Sequence, residues 1–155
     1  MTNLSRKARY ALRALYVLAA DEARNPVLIA DLAERENIPR KFLETILLEL
    51  KNAGILKSKK GKGGGYALAR AADQITMGQV IRVIDGPLAP IPCASERAYV
   101  RCEECADETT CGTRQVMKKV RDAIAAILDS TTLSDVQAQM SRARLTTAAT
   151  VNYSI

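Results

Sequence analysis

Residues 28 to 68 constrain the fold more than any other stretch of the chain. Leu28, Ile29, Leu32 and Ala33 recur at helical spacing through about Glu36, and Asn37, Ile38 and Pro39 then break the pattern. Asn tolerates left-handed backbone and Pro suits the first turn of a following helix, so this tripeptide reads as a tight turn. Phe42, Leu43, Ile46, Leu47 and Leu50 resume the helical period, which stops at Gly54. Two short apolar runs, at Ile55-Leu56 and Tyr66-Ala67-Leu68, then flank a Lys- and Gly-rich tip, the signature of a β-hairpin. Two short helices joined by a tight turn form a helix-turn-helix unit, and a hairpin directly behind them supplies a wing.

The remaining segments arrange themselves around this unit. Leu4, Ala8, Ala11, Leu12, Leu15, Leu18 and Ala19 give a first helix from an N-cap at Ser5 to near Asp21, and Thr76 caps a short helix through Ile84. Three prolines between Gly86 and Pro92 mark the end of the module. Residues 93 to 111 show no periodicity and form a loop long enough to need an anchor, for which a metal would serve. Val116, Val120, Ala123, Ile124, Ile127 and Leu128 make a long amphipathic helix from Thr113 to Asp129. The expected fold is mainly α with a small β-hairpin wing: a winged helix-turn-helix over 1–86, a cysteine-bearing sensor loop over 87–112, and a dimerisation helix with a following turn over 113–136. A flexible tail is expected over 137–155. The long helix carries more apolar face than a small module can cover, so a homodimer is expected, with packing inside the chain as the alternative.

Aromatic residues are only 4% of the 155 residues, with no Trp and one Phe, so the core must be built from Leu, Ile, Val and Ala. That mix favours packed helices. Histidine is absent, which removes the commonest general base, the Ser-His and Cys-His nucleophiles, and every His-containing metal site. An enzyme is not expected. No apolar run reaches the length of a membrane span, and no leader pattern opens the chain, so a cytoplasmic protein without membrane contact is expected.

Charge is unevenly distributed. Residues 1–70 hold fourteen Lys or Arg against seven acids, whereas Glu96, Glu103, Glu104, Asp107 and Glu108 outnumber Arg97 and Arg101 between Cys93 and Cys111. A basic module attracts polyanions, nucleic acid first. The start of the third helix would face the major groove, where Arg40, Lys41, Glu44 and Thr45 could reach base edges or phosphates. Lys59, Lys60 and Lys62 at the hairpin tip suit backbone or minor-groove contact. As a nucleotide phosphate loop, Gly61 to Gly65 lacks the Ser or Thr after Lys and the preceding βα unit.

The four cysteines, Cys93, Cys102, Cys105 and Cys111, fall in a compartment expected to be reducing, where metal binding or redox chemistry outweighs structural disulfides. Four thiolates suit an iron–sulfur cluster or tetrahedral zinc, and a metal-free thiol or disulfide switch is the third possibility.

Leu4-Ser-Arg-Lys-Ala-Arg-Tyr-Ala-Leu12, Ala30-Asp-Leu-Ala-Glu34, Ile38 through Leu43, Gly63-Gly-Gly-Tyr66, and Cys111 leading into the helix that reaches Thr131-Thr-Leu133 together resemble a known family over residues 1 to 136. It is the Rrf-two type of bacterial winged-helix regulators that includes the iron–sulfur-assembly regulator IscR and the nitric-oxide sensor NsrR. The resemblance implies a homodimer that binds a near-palindromic double-stranded operator, with the long helix as its interface. In many members three cysteines ahead of that helix hold an iron–sulfur cluster, here two-iron rather than four-iron. Cys105 and Cys111 keep the five-residue gap of the family's last two ligands, and Cys93 falls where the first is expected. Eight residues intervene between Cys93 and Cys102, an expanded loop with an extra thiol. Some relatives take as fourth ligand a His three residues after the last cysteine, which here is Arg114. Others take an acid from the partner's first helix, which here is Arg9. Cys102 is left as the fourth ligand, with Glu103, Glu104 or Asp107 behind it.

Overall fold

The computed structural model describes residues 4–152, with side chains through residue 146. Helices α1 (Arg6–Ala19), α2 (Ile29–Glu36) and α3 (Arg40–Asn52) precede an antiparallel hairpin of β1 (Leu56–Lys59) and β2 (Gly65–Leu68). After a short 3₁₀ turn at Ala72–Gln74 come α4 (Met77–Asp85), a second 3₁₀ turn at Pro92–Ala94, then α5 (Gly112–Ser130) and α6 (Leu133–Asn152). The fold is the expected winged helix with a long helix behind it.

Local chemistry sets these boundaries. The Ser5 hydroxyl accepts from the Ala8 N–H to start α1, and Thr76 with Gln79 closes a reciprocal capping box on α4. Asn37 ends α2 in the left-handed region at φ 49°, ψ 53°, so the chain turns sharply enough for α3 to begin three residues later. Leu15 and Leu18 of α1, Leu32 of α2, Leu43, Ile46, Leu47 and Leu50 of α3, Leu56 and Leu68 of the hairpin, and Val80 of α4 converge in one core. Each such side chain contributes roughly 1.5–3 kcal/mol by leaving water. The buried face of α3 leaves its opposite face to solvent.

The hairpin pairs Leu56 with Leu68 and Lys59 with Gly65. It is also stitched to the chain ahead of α2, because Val27 and Tyr66 exchange both backbone hydrogen bonds at 2.9 Å. Gly65, at φ 134°, passes so close to the Val27 carbonyl that a Cβ would collide with it. The wing is therefore fixed to the helix-turn-helix at both ends of its ladder.

One segment departs from the sequence reading. A turn closing the 113–136 segment and a flexible tail over 137–155 are the expectation, yet a single 20-residue helix, Leu133–Asn152, stands there. Asp135 accepts from the Thr132 N–H and hydroxyl to start it. Leu133 is fully buried, and Gln137 donates to the Tyr16 carbonyl, so the start of α6 docks on α1. Ala, Gln, Met, Arg and Leu along the helix have high helix propensity, which carries it onward without strong apolar periodicity. The last residues of the expected tail, 153–155, lie outside the described residues.

Candidate nucleic-acid interface and cysteine segment

Arg40, Lys41, Glu44 and Thr45 all lie on the exposed face of α3, within about 140° of arc at 100° per residue. The Arg40 guanidinium meets Glu44 one turn on at 3.2 Å, and the Thr45 hydroxyl donates back to the Lys41 carbonyl. Leu48 belongs to the same face and is half exposed. The sequence pattern hid it, because a Leu among Ile46, Leu47 and Leu50 reads as core. Phe42, counted with the apolar face, sits instead at its rim, edge-on to the Tyr10 ring with centroids 5.7 Å apart.

Lys57, Ser58 and Lys59 of β1 are exposed, as are Lys60 and Lys62 at the tip. Gly61 at φ 84° and Gly63 at φ 70° make a turn that L side chains rarely adopt, and a Cβ on Gly64 would run into the Lys59 carbonyl. The tip thus presents lysines on a backbone stripped of side chains elsewhere. The α3 face and the wing together offer cations to a polyanion, and the Val27–Tyr66 bridge ties the wing to the segment leading into α2.

The reading head is tied to the long helix by backbone. Met77 N donates to the Thr131 carbonyl and Leu133 N to the Ile75 carbonyl, both at 2.9 Å, so the α5–α6 junction pairs with the strand-like residues ahead of α4. Over its 19 residues α5 buries none of its own, and Val116, Val120 and Ile127 are 53%, 38% and 66% exposed. That ridge is the apolar face expected for dimerisation.

Cys93 is buried in the 3₁₀ turn, whereas Cys102, Cys105 and Cys111 are half-buried. The Arg114 guanidinium donates to the Cys93 carbonyl at 3.0 Å, and Arg121 donates to the Ala94 carbonyl at 2.6 Å. The residue standing where some relatives place a His thus fastens the backbone of Cys93 to α5. The Cys105 thiol donates to the Asp107 carbonyl at 3.4 Å. Cys111 occupies the N-cap of α5, where the Arg114 N–H and the Cys105 thiol hold its thiol below the usual range. Burial, and then the Cys111 neighbour, push Cys105 up.

The loop around these thiols is held by hydrogen bonds. Tyr99 donates to Glu108 at 2.6 Å, the Asp107 carboxylate accepts from the Thr109 N–H and from the Thr109 and Thr110 hydroxyls, and Gln115 reaches the Thr109 carbonyl. Hydrogen bonding from Thr109 and Thr110 keeps the Asp107 carboxyl below its ordinary pKa. The other Glu108 oxygen is buried without a partner among the described residues. Among the described residues no group of three or more Cys, Asp or Glu is placed to hold a metal ion. The four thiols supply the right donors for a cluster or zinc, but as they stand they do not form a cage.

A helix-turn-helix with an exposed basic recognition face, a lysine-tipped wing and a trailing helix with an uncovered apolar ridge defines a winged-helix DNA-binding protein. Residues 4–139 match the family described as "Rrf2: Iron-dependent Transcriptional regulator". The chain belongs to the Rrf2 family and is a DNA-binding transcriptional regulator. It is 42% identical over 139 residues to the rrf2-like HTH-type transcriptional regulator of Rhodobacter capsulatus, covering 87% of this chain and 92% of that one. It is 32% identical to the regulator IscR of Aliivibrio salmonicida, covering 86% of this chain and 76% of the relative. The solved structure of CymR, the global cysteine regulator of B. subtilis, superposes with a TM-score of 0.73 at 34% identity, covering 90% of this chain and 98% of CymR. These relatives are regulators and not enzymes. Among the described residues no helix is long and apolar enough to cross a membrane.

Proposed function

We propose that the chain acts in the cytoplasm as a homodimer on a near-palindromic operator, reading DNA with Arg40, Lys41, Glu44 and Thr45 of α3 and gripping phosphate with Lys59, Lys60 and Lys62 of the wing. The observation that carries this reading is the common exposed face of α3 in a helix-turn-helix whose wing is bridged to the segment ahead of α2 through Val27 and Tyr66. Two such heads joined through the apolar ridge of α5 would engage two half-sites at once, which accounts for specific binding beyond what one head supplies.

The cysteine segment is proposed as the sensor of redox, iron or nitric-oxide status. An iron–sulfur cluster on Cys93, Cys105 and Cys111, with Cys102 as fourth ligand, is supported by the all-thiolate donor set in a chain without histidine and by the family's description as iron-dependent. Zinc would use the same donors. The opposite pKa shifts of Cys105 and Cys111, each caused in part by the other thiol, support a second reading, a metal-free dithiol switch.

Purification without oxygen, followed by absorption spectroscopy and iron, sulfide and zinc determination, separates these. A cluster gives visible absorption with stoichiometric iron and sulfide, lost in Cys93→Ser, Cys105→Ser and Cys111→Ser and shifted in Cys102→Ser. Stoichiometric zinc, or no metal, rejects the cluster. In the metal-free case, a Cys105–Cys111 disulfide on mild oxidation, seen by mass spectrometry, supports the dithiol switch.

A further inference from the structure

A cavity of about 610 Å³ opens between α4, the proline-rich segment behind it, and α5. Its size falls among small-molecule sites. Pro87, Leu88, Ala125 and Ala126 give it an apolar side, and three guanidiniums and three carboxylates also line it.

Most of those charges are spoken for. Arg82 spends both terminal nitrogens on Asp129. Arg121 is engaged by the Ala94 carbonyl, Asp122 and Glu96. Arg97 is different: among the described residues it makes no hydrogen bond or ion pair, and only the longer-range field of its charge reaches Asp129. On the carboxylate side, Asp122 meets Arg121 through Oδ1 alone and Glu96 meets it through Oε1 alone, so each keeps a second oxygen for another donor.

An uncommitted guanidinium, uncommitted carboxylate oxygens and an apolar side in one cavity match a small molecule with an anionic end, a cationic end and an apolar body. We propose that this cavity is an effector site for an α-amino acid with an apolar side chain, its carboxylate on Arg97 and its ammonium on Asp122 and Glu96. Guanidinium–carboxylate and ammonium–carboxylate hydrogen bonds are the strong, charge-assisted kind. Dimerisation leaves the site open. At about 100° per residue, Arg121, Ala125 and Asp129 project on the side of α5 away from the ridge of Val116, Val120 and Ile127. A ligand there would touch α4 of the reading head and α5 of the dimer helix at once, and so bias their relative position. The site does not depend on the sensor reading of the cysteines.

Isothermal titration and thermal melts of the full chain, with L-alanine, L-valine, L-leucine and L-methionine as probes, test this. At least one should give a saturable heat and a raised Tm. For leucine, isocaproate lacks the ammonium and isoamylamine lacks the carboxylate; each should bind about tenfold or more weaker than the parent. Arg97→Ala and Asp122→Asn should each weaken the amino acid by about tenfold or more, while Cys105→Ser and Cys111→Ser leave it unchanged. Arg97 is exposed and unpaired, so its variant keeps the test meaningful if loss of Asp122 loosens α5. Silence from all four probes, isocaproate binding as well as leucine, or undiminished binding in Arg97→Ala overturns the proposal.

Discussion

Arg82 and Asp129 meet in a two-pronged ion pair, Nη1 to Oδ1 at 2.5 Å and Nη2 to Oδ2 at 2.8 Å, that crosses from α4 of the reading head to α5. Gly78 lies directly beneath it. A Cβ at that position would collide with the Asp129 carboxylate and stand 2.8 Å from Arg82 Nη1. With backbone pairing at Met77–Thr131 and Ile75–Leu133, the ion pair forms a joint between α4 and the long helix.

Gly78→Ala should therefore separate stability from function. The displaced pair is partly exposed, with Asp129 46% accessible, so its loss costs about 1 kcal/mol or less. Replacing a helical Gly by Ala returns up to about 1 kcal/mol. The two effects nearly cancel, and Tm should move by no more than about 2–4 °C. Specific operator affinity, measured by anisotropy, should fall while nonspecific binding holds. A variant that binds operator like the parent would show that the joint is not part of recognition.

The same pair predicts an acid-side signature. Hydrogen bonding from Arg82 holds the Asp129 carboxyl below its ordinary 3.8. A depressed folded pKa contributes stability that is fully present above the unfolded value and lost as pH falls through the folded one. Urea melts should show Asp129→Asn less stable than the parent near neutral pH, with the gap closing as pH falls below the ordinary carboxylate range and through the depressed folded pKa. A gap that persists in acid would mean that packing, not charge, accounts for the residue.

For DNA contact, Lys60→Ala with Lys62→Ala should weaken binding to every sequence and reduce the slope of log K against log salt by about 2, as two phosphate contacts are lost. Glu44→Ala removes the Arg40 partner and a carboxylate able to accept from a cytosine amino group, so it should redistribute sequence preference with little change in salt slope. Selection from a random-sequence library, run at two salt concentrations, reads both effects.

The winged helix was legible because its punctuation is chemical. Asn37 before Pro39 and the glycine-lined tip each demand a backbone that few other residues supply, and the structure uses them so. The start of α6 was legible only as a turn. Its docking rests on one buried residue, Leu133, and on a side-chain bond from Gln137 to Tyr16, which no local pattern announces. The Arg82–Asp129 joint was equally hidden, since 47 residues separate its partners and each alone looks like a solvated charge. The cysteine spacing pointed to a shared site, but bringing Cys93 to the others depends on how the 19-residue segment closes, and spacing does not encode that.

Leu133→Ala tests whether α6 supports the head. Leu133 is wholly buried in the common core, so its truncation should cost about 2–5 kcal/mol, read as a lowered urea midpoint with an unchanged m-value. A loss under about 1 kcal/mol would mean that α6 sits on α1 without contributing to the fold.

The dimer interface gives the last expectation. Val120 and Ile127 lie seven residues apart, two turns along one side of α5, and both are exposed in the single chain. Buried against a second copy they would each contribute roughly 1.5–3 kcal/mol, and a carboxylate in their place would have to be desolvated without a partner. Val120→Asp with Ile127→Asp should therefore give a monomer by light scattering while leaving the far-ultraviolet circular dichroism of the helices intact, because neither residue enters the core of its own chain. The monomer keeps one reading head, so it should retain salt-sensitive nonspecific binding and lose the tight binding that two tethered heads give to a two-half-site operator. An unchanged mass would place the interface elsewhere on the molecule, and an unchanged operator affinity in a proven monomer would remove the need for two heads altogether.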